Sequence, residues 1–275
     1  MGEILAEVGA ARVLARQRRG RDAARGRRVT AALGLLSLKL LGILWLGAFL
    51  GALAVGGAGF AFALVASSVW LHALPPLQTA VLVLASGVCL HLFSIWLMRK
   101  TLEPGRLWPF LAGGALGIPI GISLLTRSDP GVLKTSLGFF LLAYGLFALM
   151  APRLPHVSRG GRVADGIVGF IGGILGGLGG FSGVLPTIWA QLRGWSKETI
   201  RGVCQPFIFL AQLTSLALLG GIAIDRASIV MFAAIVPALL AGTWVGWLIY
   251  GRLDERRFRQ VLAALLALSG LVLVL

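Results

Sequence analysis

The sequence predicts an all-α integral membrane protein. The expected architecture is a polytopic helical bundle of about 8–10 transmembrane segments, each needing roughly 20 apolar residues to cross. It would be built from two inverted repeats with broken or re-entrant Gly-rich helices. Three observations point there. The chain of 275 residues is 57% hydrophobic and 13% charged, where a soluble domain carries about 25% charge. Long stretches, Leu40–Met98 above all, hold no Asp, Glu, Lys or Arg. A glycine-rich phrase is also written twice, GALAVGGAGF at 51–60 and GGILGGLGGF at 172–181. In that register Gly51, Gly56, Gly59 and Phe60 fall on Gly172, Gly177, Gly180 and Phe181. After a slip of four residues, Gly117, Gly121, Arg127, Asp129 and Gly145 fall on Gly242, Gly246, Arg252, Asp254 and Gly270. Duplicated halves with interrupted hydrophobic segments are how many secondary transporters build a site near the membrane midplane.

Taken in order, the chain opens with a basic arm, residues 1–30, that contributes eight arginines to the net charge of +15. Such an arm suits anionic lipid at the cytoplasmic face and fixes orientation. Ile4, Leu5, Val8 and Leu14 give it a partial apolar stripe for lying on the membrane. Nucleic acid is not expected as a partner. The arm is too long for a signal peptide, and no cleavage site follows a short apolar core. The first membrane repeat is expected at 31–152. Its apolar runs are Val29–Trp45, the first glycine-rich copy at 46–73, Leu77–Trp96, Leu107–Thr126 and Thr135–Pro152. A basic linker, 153–163, leads to the second repeat at 164–275. That repeat holds the second glycine-rich copy at 164–192, then Gly202–Ile224, Ala227–Gly251 and Gln260–Leu275. Cys89 and Cys204 lie in apolar runs without metal-ligand spacing, so they read as buried thiols, with no metal site and no cofactor.

Loop charge sets the expected orientation. Arg/Lys-rich loops stay in the cytoplasm, and here these are 99–106, 153–162, 193–201 and 252–259. The weakly charged loops, 72–77, 127–134 and 220–226, then lie outside. Equivalent loops of the two copies thus face opposite sides, which is the pattern of inverted repeats. A cytoplasmic N-terminus requires an extra crossing before residue 75, and Val29–Trp45 offers the apolar sequence for it. Each glycine-rich copy reads as one broken crossing, two short crossings or a re-entrant hairpin.

Glycine costs a helix about 1 kcal/mol relative to alanine, so the run Gly176–Gly183 is expected to break. Broken helices at membrane depth are tolerated where they face protein or a wet cavity. Their free N–H groups and dipoles favour anions. The candidate substrate-binding set is Gly56, Gly57, Gly59, Phe60, Gly179, Gly180, Phe181, Ser182, Gly183 and Thr187. The competing reading is that small residues let helices pack closely. No acidic residue stands inside an apolar run, and Asp165 only borders one. Cation carriers usually need carboxylates at depth, so an anion is the expected cargo. Lys39 lies in the first apolar segment, as a functional group or as a side chain reaching back to the interface. His91 and Ser94 share a helical face, as do their counterparts Gln212 and Ser215. These four read as pathway or coupling residues, with His91 a proton acceptor, or as interhelical hydrogen bonds. Gln205 opens the same helix as Gln212, just after Arg201, and both are further pathway candidates; Arg201 reads as a group that attracts the anion or as ordinary positive-inside charge. No paired acids, metal motif or Ser/His/Asp set points to an enzyme.

The stretch Gly169–Pro186, followed by Trp195, Ser196, Lys197, Glu198 and Arg201, resembles the TauE/SafE (TSUP, sulfite exporter) family of membrane permeases. Its weaker echo at 47–64 and 75–80 carries Ala58 and Ala61 where the second copy has Gly179 and Ser182. The resemblance implies secondary transport of a small sulfur-containing anion, such as sulfite, sulfoacetate or a related organosulfonate. It implies coupling to the proton gradient at the cell (inner) membrane. A passive anion channel and a carrier for a non-sulfur organic anion remain the alternatives. Expected partners are the anion, membrane lipid and protons, with homo-oligomerisation left open.

Overall fold

The computed structural model describes residues 38–58, 61–98, 102–150, 157, 160–250 and 255–275. The basic arm, Gly59 and Phe60, and most of the linker lie outside these. The described residues form helices α1 (Leu38–Ala58), α2 (Phe62–Trp70), α3 (Pro76–Met98), α4 (Pro104–Arg127) and α5 (Pro130–Met150). They continue with α6 (Gly161–Gly179), α7 (Val184–Leu192), α8 (Lys197–Ala223), α9 (Arg226–Tyr250) and α10 (Glu255–Val274). Six of these are long and apolar enough to cross a membrane, and α3 adds a shorter apolar stretch at Pro76–Leu92. The chain is a multi-pass helical membrane protein.

Local chemistry sets the helix starts. Proline opens α3, α4 and α5, where its missing N–H leaves no orphan. Asp129 Oδ1 accepts from Gly131 N and Val132 N at the start of α5. Ser196 Oγ accepts from Thr199 N before α8, and Asp225 Oδ1 from Ser228 N before α9. These are N-caps, which satisfy donors that the helix itself leaves open.

Both glycine-rich copies are helix hairpins. Trp70 at the end of α2 donates through Nε1 to Leu44 O at 3.1 Å, and a methyl on Gly51 would meet Phe62. So α2 runs back along α1. In the second copy Ser182 and Pro186 pack on Gly176 and Gly172, and Trp189 Nε1 donates to Asp165 Oδ1 at 2.7 Å. So α7 runs back along α6. With nine residues, each return limb is about 14 Å long, half of a hydrocarbon core. Leu38–Trp45, which the sequence reading joins to Val29–Ser37 as an extra crossing, thus belongs to the hairpin limb α1. A crossing before residue 38 would have to come from residues outside the described ones.

The run 176–183 breaks only at Gly180, the end of α6. α6 stays helical through Gly172, Gly173, Gly176 and Gly177, because these glycines face backbone rather than bend it. Added methyls on Gly173 and Gly177 would meet Gly114 and Ile118 of α4. In the reverse direction Gly117 and Gly121 of α4 lie against the backbone of Phe170 and Ile174. Gly242 and Gly246 of α9 lie in the same way against Phe49 and Leu53 of α1. In the duplicated register Gly117, Gly121, Phe170 and Ile174 are equivalent to Gly242, Gly246, Phe49 and Leu53. A third glycine seam joins α5 to α10, where Gly138 and Gly145 face Gly270 and Ala267. Close approach of small residues is what holds helices together when lipid removes the hydrophobic drive.

Candidate functional site

The second hairpin turns at Gly180, whose φ of 81° is left-handed. Glycine alone adopts that conformation without penalty. Gly180 N donates to Gly176 O and Phe181 N to Leu175 O, and both bonds close the end of α6. Val184 N then donates to Phe181 O, and Pro186 has no N–H. The N–H groups of Gly180 and Phe181, both in the candidate binding set, are thus spent on closing α6. Among the described tip residues, Ser182, Gly183 and Leu185 keep N–H groups outside the backbone bonds of the turn.

The tip is central and buried. A methyl on Gly180 would stand 2.8 Å from Val83 Cγ1 of α3, and Ala63 of the first hairpin lies 3.8 Å from the same point. Phe181 packs on Phe140 of α5 with ring centroids 5.4 Å apart. The two hairpins therefore meet against α3. Thr79, Val83 and Ser86 share one face of that helix at helical spacing, so two hydroxyls flank the residue that touches the tip. On α8, Gln212 lies against Gly87 of α3, and Ser215 is one turn further along.

Five buried side-chain atoms here have no hydrogen-bond partner: Thr79 Oγ1, Ser86 Oγ, Ser182 Oγ, Gln212 Oε1 and Ser215 Oγ. Each belongs to a residue at most 2% exposed. A buried polar atom left unsatisfied costs roughly 1–3 kcal/mol, and all five lie on the second hairpin or on α3 and α8, which pack together. The Ser182 hydroxyl stands over Gly176, which leaves space for it. One turn beyond Gly87, His91 Nδ1 lies 2.8 Å from Gln205 Oε1. Oε1 can only accept, so Nδ1 carries the hydrogen. The Thr187 hydroxyl bonds the Cys204 thiol beside it. No lysine or arginine is buried among the described residues.

Several expected residues lie elsewhere. Lys39 is exposed on the first turn of α1. Arg201 is half-buried on α8 beside Glu198, at the loop end of the bundle. Gly56 and Gly57 fall on the last turn of α1, while Gly59 and Phe60 are outside the described residues, as is the side chain of Ser94. Cys204 is buried as expected, but Cys89 is exposed, because an apolar run does not say which of its faces is covered.

The sequence reading passes over Thr79 and Ser86 and treats Asp165 only as a charge bordering an apolar run. The first two carry a signal, a seven-residue spacing on one helical face. Asp165 is 5% exposed and closes the open end of the second hairpin. It accepts from Trp189 Nε1 and pairs with Arg193 at 3.5 Å. Arg106 stacks 5.1 Å over Trp195 nearby, and Thr199 Oγ1 donates to Glu103 Oε1 at 2.8 Å. Glu103 and Arg106 are thus neighbours of the basic loop 193–201 at one end of the bundle. A sequence model of the family described as sulfite exporter TauE/SafE matches residues 10–273. No curated protein and no solved structure matches.

Proposed function

The chain belongs to the sulfite exporter TauE/SafE family, and we propose that it is a secondary carrier for a small sulfur oxyanion across the inner membrane. The cargo class is sulfite, sulfoacetate or a related organosulfonate, with the proton gradient as driving force. The anion would sit where the hairpins meet on α3, held by the hydroxyls of Thr79, Ser86, Ser182 and Ser215 and by the free N–H groups at Ser182 and Gly183. One observation carries this reading: five buried polar atoms without partners gather around the meeting hairpins. Neutral donors suit a carrier, which must release what it binds. The charged loops orient the N-terminal arm toward the cytoplasm, and the two hairpins would open to opposite faces.

Thermal stabilisation of the purified protein by sulfite, thiosulfate, sulfonates, sulfate and carboxylates tests the cargo, since a ligand bound to the folded state raises apparent stability. A sulfur anion should stabilise; sodium, ammonium and sugars should not. Ser182→Ala should weaken binding by about 1–3 kcal/mol, the cost of losing a hydrogen bond to a charged group. Saturable counterflow in proteoliposomes separates a carrier from a channel. Transport of a cation or neutral solute, with no response to any sulfur anion, would sink the proposal.

A further inference from the structure

The unpartnered hydroxyls can solvate an anion, but they cannot neutralise it. An uncompensated charge is expensive to bury, and no lysine or arginine is buried among the described residues to offset it. Three buried titratable groups are described: Asp165, Cys204 and His91. Asp165 is held by Trp189 and Arg193 at the hairpin mouth and gains no positive charge. Cys204 is bonded to Thr187 and likewise gains none. His91 is the one that becomes a cation on binding a proton, and it does so between about pH 5 and 8 in ordinary surroundings.

Its placement fits that task. His91 is 1% exposed and lies on α3 one turn, about 6 Å of rise, beyond Gly87, against which Gln212 lies. With Nδ1–H donated to Gln205 Oε1, the lone pair sits on Nε2, ready to accept. The duplicated register puts Gln212 at the position equivalent to His91. Gln212 is likewise buried and polar, and of the two only His91 can hold a proton. The helices packed on α3 bring few competitors. α2 has no titratable residue; α4 carries Arg106 and Arg127, α5 Lys134 and Tyr144, and α6 Arg162 and Asp165. α8 carries Lys197, Glu198, Arg201 and Cys204, and α9 Arg226 and Tyr250. Of all these, only Asp165 and Cys204 are buried among the described residues.

We propose that His91 is the proton site of the transport cycle, protonated at Nε2 as the anion arrives and deprotonated as it leaves, so that the two charges are buried together. A lone imidazolium and a lone anion are each costly in a low dielectric, whereas a neighbouring pair offsets that cost. The proton comes from, and returns to, the aqueous side that the site faces. The inference rests on the anion-carrier reading above.

The test uses methanesulfonate, a monoanion throughout the working pH range, so any pH dependence belongs to the protein. Calorimetry on the purified chain should show binding that weakens by up to tenfold per pH unit above the imidazole range, the limit for one linked proton. Repetition in buffers of different ionisation heat should show uptake of about one proton per anion. His91→Gln, which copies the equivalent Gln212, should bind weakly with no pH slope and no proton uptake. A wild-type slope in that variant would overturn the assignment. Should the variant fail to fold, the wild-type buffer series still decides: binding without proton uptake refutes the inference and leaves the anion carrier standing. Failure of methanesulfonate and sulfite to bind at any pH would overturn the carrier reading, and this inference with it.

Discussion

Replacing Gly180 with alanine tests the hairpin tip at its tightest point. Two separate penalties apply. The backbone is left-handed, φ 81°, which costs an L-residue roughly 1–2 kcal/mol. The new methyl would also stand 2.8 Å from Val83 Cγ1, closer than two carbons can sit. Val83 is fully buried, so it has nowhere to swing, and overpacking of this kind costs about 1–3 kcal/mol. Together the two terms amount to about 2–5 kcal/mol. Only the second depends on Val83. In a double-mutant cycle, Val83→Ala should therefore return about 1–3 kcal/mol of the loss and leave the backbone part intact. Equilibrium unfolding in mixed micelles, titrated with denaturing detergent, measures each corner. Transport per folded molecule should fall in Gly180→Ala, because Ser182 and Gly183 move with the turn. A neutral Gly180→Ala, or a cycle with no coupling to Val83, would refute the account of the tip.

Two further outcomes follow from the geometry. Single cysteines at 43 and 73, on the two limbs of the first hairpin, should label from the same side of the membrane, and those at 160 and 194 from the opposite side; labelling of all four from one side would break the inverted arrangement. Asp225 caps α9, and its bonds from the Ser228 hydroxyl and N–H hold its carboxyl below the ordinary value of 3.8. A depressed carboxylate stabilises the fold above its unfolded-state pKa and loses that contribution as pH falls through the folded value. Asp225→Ala should thus cost about 1 kcal/mol near neutral pH and progressively less in strong acid. An equal cost at pH about 7 and pH about 2 would count against the cap.

The fold class was legible because charge-free runs of membrane length seldom occur in a chain that stays in water. The hairpins were legible only as one of three options, and the reason is physical. Glycine serves close packing and chain reversal equally well, and composition does not separate the two uses. In α6 the glycines at 173 and 177 receive α4, while only Gly180 reverses the chain. The break within 176–183 was legible, but the bonds from Gly180 and Phe181 back to α6 appear only once the turn is formed. Thr79 and Ser86 were lost among apolar neighbours, since one hydroxyl in a helix usually bonds its own backbone. Asp165 looked like a border charge because its partners, Trp189 and Arg193, stand 24 and 28 residues away and arrive only when α7 folds back.

The exchange of partners between the halves bears on how such a molecule could move. The second hairpin is braced by α4, which precedes it in the first half, through Gly117 and Gly121 against Phe170 and Ile174. The first hairpin is braced by α9 of the second half, through Gly242 and Gly246 against Phe49 and Leu53. Neither hairpin can shift along its brace without disturbing a helix from the other half. Backbone-to-backbone contact at glycine tolerates sliding by whole steps better than interlocked side chains do, since no knob has to leave a hole. The two tips are not chemically equal. Ser182, Pro186 and Thr187 stand where the first copy has Ala61, Val65 and Ala66, and His91 stands opposite Gln212. If the hairpins exchange roles between two arrangements, as the proposed carrier requires, the unequal polar groups would give the arrangements different energies, and an anion at the polar tip would bias the pair by the difference in what it meets in each.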